Sequence, residues 1–212
     1  MASHAKAEDK KAEIVKWAFD RFYEGGFHAT GIDSVMADSG ISKRTLYKYF
    51  PSKEELIEAV LDYYAAWVMH ELFDPVMAAS DDPRRQIIAF FDIRKAMIDE
   101  SPTRGCLGIK ASQEFAGKHQ GIAKLGRHAA SQVERQLVEM CEHAGFAEPL
   151  SLGKQLNVLF QGALLLSHVS GDSSPFVSAK ATVLNLLDGA AVSESERKGR
   201  QQSAKAFRPN AK

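Results

Sequence analysis

The 212-residue sequence predicts an all-α fold, and three observations carry that prediction. Apolar residues recur at helical spacing, as in Ile14, Ala18 and Phe22 with Val15 and Phe19 beside them. No stretch alternates apolar and polar residues in the manner of a half-buried strand. Breaks fall at Gly25-Gly26, Ser39-Gly40, Pro51-Ser52, Ser80-Asp81-Asp82-Pro83, Ser101 to Gly105 and Gly171 to Pro175, and they divide the chain into helix-length pieces.

The first apolar stripe, Ile14 to Phe22, belongs to a helix of about four turns. Gly25-Gly26 ends it, because glycine enters the left-handed conformation after a helix without steric cost. Two short helical patterns follow, about Ile32 to Ser39 and Lys43 to Tyr49. Ser52-Lys53-Glu54-Glu55 has the spacing of a capping box, so a helix is expected to start at Lys53 and run to about Ala79. Pro83 sits where a first helical turn accepts proline, opening a helix to about Ile98. Helices are also expected at about Leu107 to Ala116, Gly121 to Ala144, Leu150 to Ser170 and Pro175 to Ala190. From Ser193 onward the chain is rich in Ser, Gln, Lys and Arg and is expected to be a disordered basic tail, residues 193–212.

Composition excludes several functions. Lys plus Arg and Asp plus Glu each number 27, so the net charge is zero, which argues against coating nucleic acid by bulk positive charge. With 45% hydrophobic and 25% charged residues, wholesale disorder is excluded. Two cysteines, Cys106 and Cys141, make no disulfide framework. Met1 to Lys11 lacks the apolar centre of a signal peptide. The longest apolar stretch, Val158 to Leu166, falls far short of the roughly 18 residues of a membrane span. A cytoplasmic protein without membrane partners is expected. There is no phosphate loop, nucleophile elbow, dinucleotide fingerprint or zinc signature, so no enzyme, cofactor or metal site is expected.

Charge is concentrated in one place. Lys43, Arg44, Lys48 and Lys53 fall between Ile41 and Lys53, a run with no acidic residue. Four cations on a short helix are equally consistent with a solvated face. The flanking turn chemistry favours DNA. Thr30 is placed to cap a first short helix, with Asp33 favourable in its first turn. Gly40 allows a sharp turn, Ile41 plugs the space between two helices, and Ser42 caps the second. Leu46 and Phe50 face inward, leaving Lys43, Arg44, Thr45, Tyr47 and Lys48 outside.

Residues 26–56 resemble the DNA-binding motif of the TetR family of transcriptional regulators. The resemblance rests on Gly26-Phe27, Thr30, Ile32, the Ala37 to Gly40 turn, and the string Ser42-Lys43-Arg44-Thr45-Leu46-Tyr47-Lys48-Tyr49-Phe50, continued by Ser52-Lys53-Glu54-Glu55-Leu56. Asp38-Ser39 departs from the two alanines common there. The resemblance implies a homodimeric regulator, usually a repressor, that binds a palindromic DNA operator and releases it when a small-molecule effector binds. It implies a helix-turn-helix domain over residues 1–52 and an effector and dimerisation domain over 53–192. The last two helices would form the interface. Leu152, Leu156, Leu159 and Ala163, with Phe176, Val183 and Leu187, are the stripes expected there.

By position, Lys43, Arg44 and Thr45 match the family's usual base contacts, and Tyr47 either a thymine methyl or a phosphate. Thr30, Ser42, Tyr49 and Lys53 match usual phosphate contacts, and Lys48 lies on the same surface. For the effector, Trp67, Phe73, Phe91, Phe115 and Phe160 are apolar candidates. His70, Arg94, His128 and His168 are polar ones. Cys106 adds a thiol at a loop-to-helix junction near Arg104 and Lys110, a setting that favours either a reactive thiolate or a small buried residue. The competing functions are a helical small-molecule carrier without a DNA role, or an all-α enzyme.

Overall fold

The computed structural model describes residues 2–101 and 105–190, with side chains from residue 7. Arg104 and the expected tail at 193–212 lie outside the described residues. The described chain is helical and contains no strand.

Helix α1 (Ala2–Gly25) buries the expected stripe, with Ile14, Ala18 and Phe22 fully enclosed. Gly26, at φ 78°, turns the chain out of it. Helix α2 (Ile32–Met36) packs on α1, and α3 (Lys43–Tyr49) packs on α2, with Val35, Ile41, Leu46 and Phe50 buried. The turn between them holds Asp38 at φ 59° and Gly40 at φ 68°. Aspartate is one of the few side chains that tolerates the left-handed region. Asp38 stays exposed and faces the Arg21 guanidinium at 3.7 Å. The expected Thr30 cap is not made. Gly31 occupies the cap position of α2, and Thr30 is 7% exposed, packed beneath Gly25.

Helix α4 (Lys53–Val68) starts where the capping box places it, with the Glu55 backbone N–H donating to Ser52 Oγ at 3.1 Å. The expected single helix to Ala79 is interrupted by a π turn, Met69–Phe73, before α5 (Asp74–Ala79). Pro75 explains it. Proline has no N–H, and its ring would clash with the carbonyl four residues back. The wider turn relieves this, and Asp74 N–H reaches back five residues to the Met69 carbonyl.

Helix α6 (Pro83–Glu100) opens with Asp82 accepting from the Arg84 N–H at 2.9 Å. Helices α7 (Leu107–Glu114), α8 (Gln120–His143), α9 (Pro149–Ser170) and α10 (Ser174–Ala190) complete the bundle. Helix α8 packs against α4, α6, α7 and α9, and α10 against α6 and α9. The α7–α8 crossing is unusually close. A Cβ on Gly126 would lie 2.7 Å from both the Gly108 carbonyl oxygen and the Ser112 nitrogen, so only glycine fits there.

The stripes expected to form the dimer face are core instead. Leu152, Leu156, Ala163, Phe176, Val183 and Leu187 are buried within the protomer, and Leu159 is partly buried. The opposite face of α9 and α10 is apolar and exposed: Val158 is 71% exposed, with Leu165, Leu166, Val169 and Val177 alongside. Helix α9 is apolar nearly all round, so spacing alone could not choose which side faces inward.

Candidate functional site

The basic surface is built on α3. Its N-terminus is capped by Ser42, whose Oγ accepts from the Thr45 N–H at 3.1 Å and lies 2.9 Å from Thr45 Oγ1. Leu46 and Phe50 anchor the helix to the core. Lys43, Arg44, Tyr47 and Lys48 are therefore exposed together, with Thr45 and Tyr49 at the margin. Lys48 Nζ sits 5.5 Å from the Tyr49 ring centre, and Lys53 Nζ 5.9 Å from that of Phe22.

Two features were not visible in the sequence. Asp33 of α2 pairs with Lys43 at 2.5 Å, so the run free of acids in sequence has an acid beside it in space. The hydrogen bond to Asp33, then its charge, raises the Lys43 pKa. Thr30, by contrast with the α3 residues, is buried, with its hydroxyl packed beneath Gly25.

A cavity of about 20 Å³ lies where α1, α4, the π turn, α6, α7, α8 and α9 meet. That is room for roughly one water. Of the expected effector residues, the structure brings Trp67, Arg94, Cys106 and Phe160 to its wall. It places the others elsewhere. Phe73 and Phe91 pack with Phe90, and Phe91 also meets Phe160 and Phe176 in the core. Phe115 covers Phe27 and His28. His70, His128 and His168 are exposed on helix surfaces. Sequence reasoning missed Tyr23, Tyr64, Leu72, Met97 and Val133, all on the wall. These residues are far apart in the chain and read as ordinary core.

Tyr64 is the polar centre of the cavity. Its hydroxyl donates to Cys106 Sγ at 3.5 Å, and its ring meets Tyr23 edge-on at 5.9 Å. Burial, then the neighbouring Cys106 and Tyr23, raises its pKa well above the usual phenol value, against a lowering pull from Arg94. The phenol therefore stays protonated at neutral pH.

Helix α7 joins the cavity to the helix-turn-helix. At its start, Gly105 and Cys106 are cavity wall, and the Gly105 carbonyl accepts from the Tyr23 hydroxyl at 2.7 Å. One turn on, Lys110 Nζ donates to the Tyr23 carbonyl at 2.9 Å. At its end, the Glu114 carboxylate accepts from the backbone N–H groups of Phe27 at 3.1 Å and His28 at 2.7 Å, and from His28 Nδ1 at 2.9 Å. A Cβ on Gly26 would come within 2.9 Å of Glu114 Oε1, so glycine there admits the carboxylate to the turn. Burial pushes the Glu114 pKa up, but the hydrogen bonds from His28 and Phe27 outweigh it and leave it lowered.

Comparison with known proteins agrees with this geometry. The family model described as bacterial regulatory proteins, tetR family, matches residues 14–60, from α1 into α4. The chain is 30% identical over 175 residues to the uncharacterized HTH-type transcriptional regulator YxaF of Bacillus subtilis, covering 80% of this chain and 90% of that protein. It is 26% identical over 180 residues to the HTH-type transcriptional repressor NemR of Escherichia coli, covering 79% and 88%. A TetR-family transcriptional regulator from Streptomyces coelicolor superposes with a TM-score of 0.78 at 20% identity, over 91% of this chain and 97% of that one, which shows the shared fold. A DNA-regulatory role thus displaces the carrier and enzyme readings. The order of helices, the turn chemistry from Gly26 to Phe50 and a relative matched along most of its length agree: the chain belongs to the TetR family of bacterial transcriptional regulators.

Proposed function

We propose that the protein is an effector-responsive repressor, acting in the cytoplasm as a homodimer on a palindromic operator. Regulators of this family bind DNA operators, typically as dimers with small-molecule effectors. The observation that carries the effector-responsive part is α7, which begins on the cavity wall and ends on the turn that leads into α2. An effector that displaces the Gly105–Cys106 end would move Glu114 and, with it, the seating of α2 and α3.

The division falls at Ser52: α1 to α3 meet DNA, and α4 onward holds effector and partner. Arg44, Lys43 and Thr45 read base edges, with Arg44 suited to guanine O6 and N7 together. Ser42, Tyr47, Lys48, Tyr49 and Lys53 meet phosphates or groove walls. The exposed face of Val158, Leu165, Leu166, Val169 and Val177 is the dimer surface, with Gly162 open enough to admit a partner helix closely. Dimerisation would set two α3 helices about 34–36 Å apart, the repeat of the major groove.

Selection of bound fragments from genomic DNA, followed by gel-shift titration, tests the reading. Arg44→Ala should weaken the selected site by about 1–3 kcal/mol and relax base choice. Lys53→Ala should weaken all sequences alike and flatten the salt dependence. Unchanged binding by both variants would sink the interface. A reporter that rises when the gene is deleted supports repression, and one that falls refutes it.

A further inference from the structure

We propose that Asp33 sets how well α3 discriminates between DNA sequences: its carboxylate holds the Lys43 ammonium back from phosphates and presents it to a base edge. This rests on the reading of α3 as the helix that enters the major groove. Lys43 Nζ lies 2.5 Å from Asp33 Oδ1, and the two side chains are 57% and 79% exposed. Among the described residues, Lys43 is the one cation of the basic run that carries an ion pair. Lys48 and Lys53 lie near the rings of Tyr49 and Phe22 instead. A pair this open to water adds little to stability. Its effect falls on what Lys43 is free to meet.

Non-specific docking draws on charge alone, through the counter-ions released when phosphates are neutralised. A lysine swinging freely on its flexible stem joins any phosphate in reach. Lys43 is withdrawn from that pool, because a phosphate has to displace a carboxylate already in contact. Base reading has a different requirement. An ammonium carries three N–H donors, and Asp33 occupies one. The others stay available for guanine O6 and N7, acceptors found only at a defined place in the groove. The pair bridges the two helices of the motif: Asp33 lies in the first turn of α2, and Lys43 follows the Ser42 cap of α3. The seating of α2 against α3 therefore sets the direction of the ammonium. A mobile point charge becomes an aimed donor. Non-specific affinity falls and selectivity rises, in a chain whose zero net charge supplies no bulk field to hold random DNA.

The test uses the full chain with a selected operator and a random-sequence duplex, titrated by fluorescence anisotropy from about 50 to 200 mM salt. Asp33→Asn should bind random duplex about 5- to 10-fold more tightly near 0.1 M salt, with a logarithmic salt slope steeper by about 0.9, the share of one extra phosphate contact. The ratio of operator to random binding should fall by a similar factor. Repeated selection should show base choice relaxed at one position, the same one that Lys43→Met relaxes. In a Lys43→Met background, Asp33→Asn should change none of these, which separates the aiming of Lys43 from the general loss of a negative charge. Melting temperatures of wild type and Asp33→Asn should agree within roughly 2 °C, as for an exposed pair. A wild-type slope and ratio in Asp33→Asn, an equal gain in both backgrounds, or a lower melting temperature with weaker binding to both duplexes would overturn the proposal. Arg44→Ala, titrated alongside, separates this from the interface reading. If it binds like wild type, α3 is not the reading helix and both fall. If it weakens operator binding while Asp33→Asn is silent, the interface stands and the role of Asp33 is refuted.

Discussion

Removing the Glu114 carboxylate tests the link between cavity and DNA-binding helices. Three donors converge on it: Phe27 N–H, His28 N–H and the His28 ring. Hydrogen bonds to a charged group contribute about 1.5–3 kcal/mol each when enclosed. This carboxylate is only partly enclosed, and water can replace it at exposed His28, so the Phe27 N–H bears most of the loss. About 2 kcal/mol is the expected cost of Glu114→Ala, and somewhat less for Glu114→Gln, whose amide oxygen still accepts. For a chain of this size that is roughly a 4–8 °C fall in melting temperature. The pH dependence has a defined sign. The folded carboxyl lies below its ordinary value, so its contribution is full above the unfolded value of about 4.3 and is lost as pH falls through the folded value. The gap between wild type and Glu114→Gln should be widest near neutral pH and close in acid. Thermal melts from neutral to acidic pH give both quantities. In gel shifts, Glu114→Gln should bind operator yet need more effector for release. A variant that melts like wild type and releases DNA at the same effector concentration would refute the coupling.

Other expectations concern packing and chemistry elsewhere. Leu166→Glu on the exposed α9 face should give folded monomers with poor operator binding, whereas Val183→Glu, at a fully buried position, should unfold the protomer; sedimentation and circular dichroism separate the two. Gly126→Ala drives a methyl against backbone atoms of α7 and should destabilise by about 1–3 kcal/mol or more in a denaturant titration. Burial, aided by the Glu142 charge, pushes the Cys141 thiol up to about 12, so thiol alkylation in the native state should leave it untouched at neutral pH, with any early label found on Cys106 by peptide mapping. If Cys106 is the sensor that its place on the cavity wall allows, Cys106→Ser keeps DNA binding but no longer releases it to an electrophile, and a wild-type response from that variant rules the role out.

Local signals were the legible ones. Helix α3 spans Lys43–Tyr49 as read from the sequence, because a serine cap, a glycine turn and two anchors at four-residue spacing each act within a few residues. The start of α4 follows from its capping box for the same reason. Pairings across the chain were not legible. His28 and Glu114 are 86 residues apart, and nothing local announces a carboxylate reserved for a distant turn. The stripe expected at the dimer face falls in the protomer core because α9 has apolar residues on both sides, and only packing against α8 and α10 decides which side faces inward. The π turn did have a local cause in Pro75, although a proline at that point reads equally well as a kink.

The glycine contact between α7 and α8 has a mechanical consequence. Backbone meets backbone at Gly108 and Gly126, with no side chain between them to cushion a shift. If α7 tilts as a rigid rod, that contact is its fulcrum. At about 1.5 Å of rise per residue, Cys106 lies roughly 3 Å to one side of Gly108 and Glu114 roughly 9 Å to the other. The lever arms differ about threefold, so a half-ångström push at the cavity end becomes about 1.5 Å of travel at the carboxylate. Travel of that size is more than the 2.7 Å hydrogen bond to His28 can absorb in place, so a ligand that barely widens its cavity would drag the Phe27–His28 turn and, with it, the seating of α2 and α3.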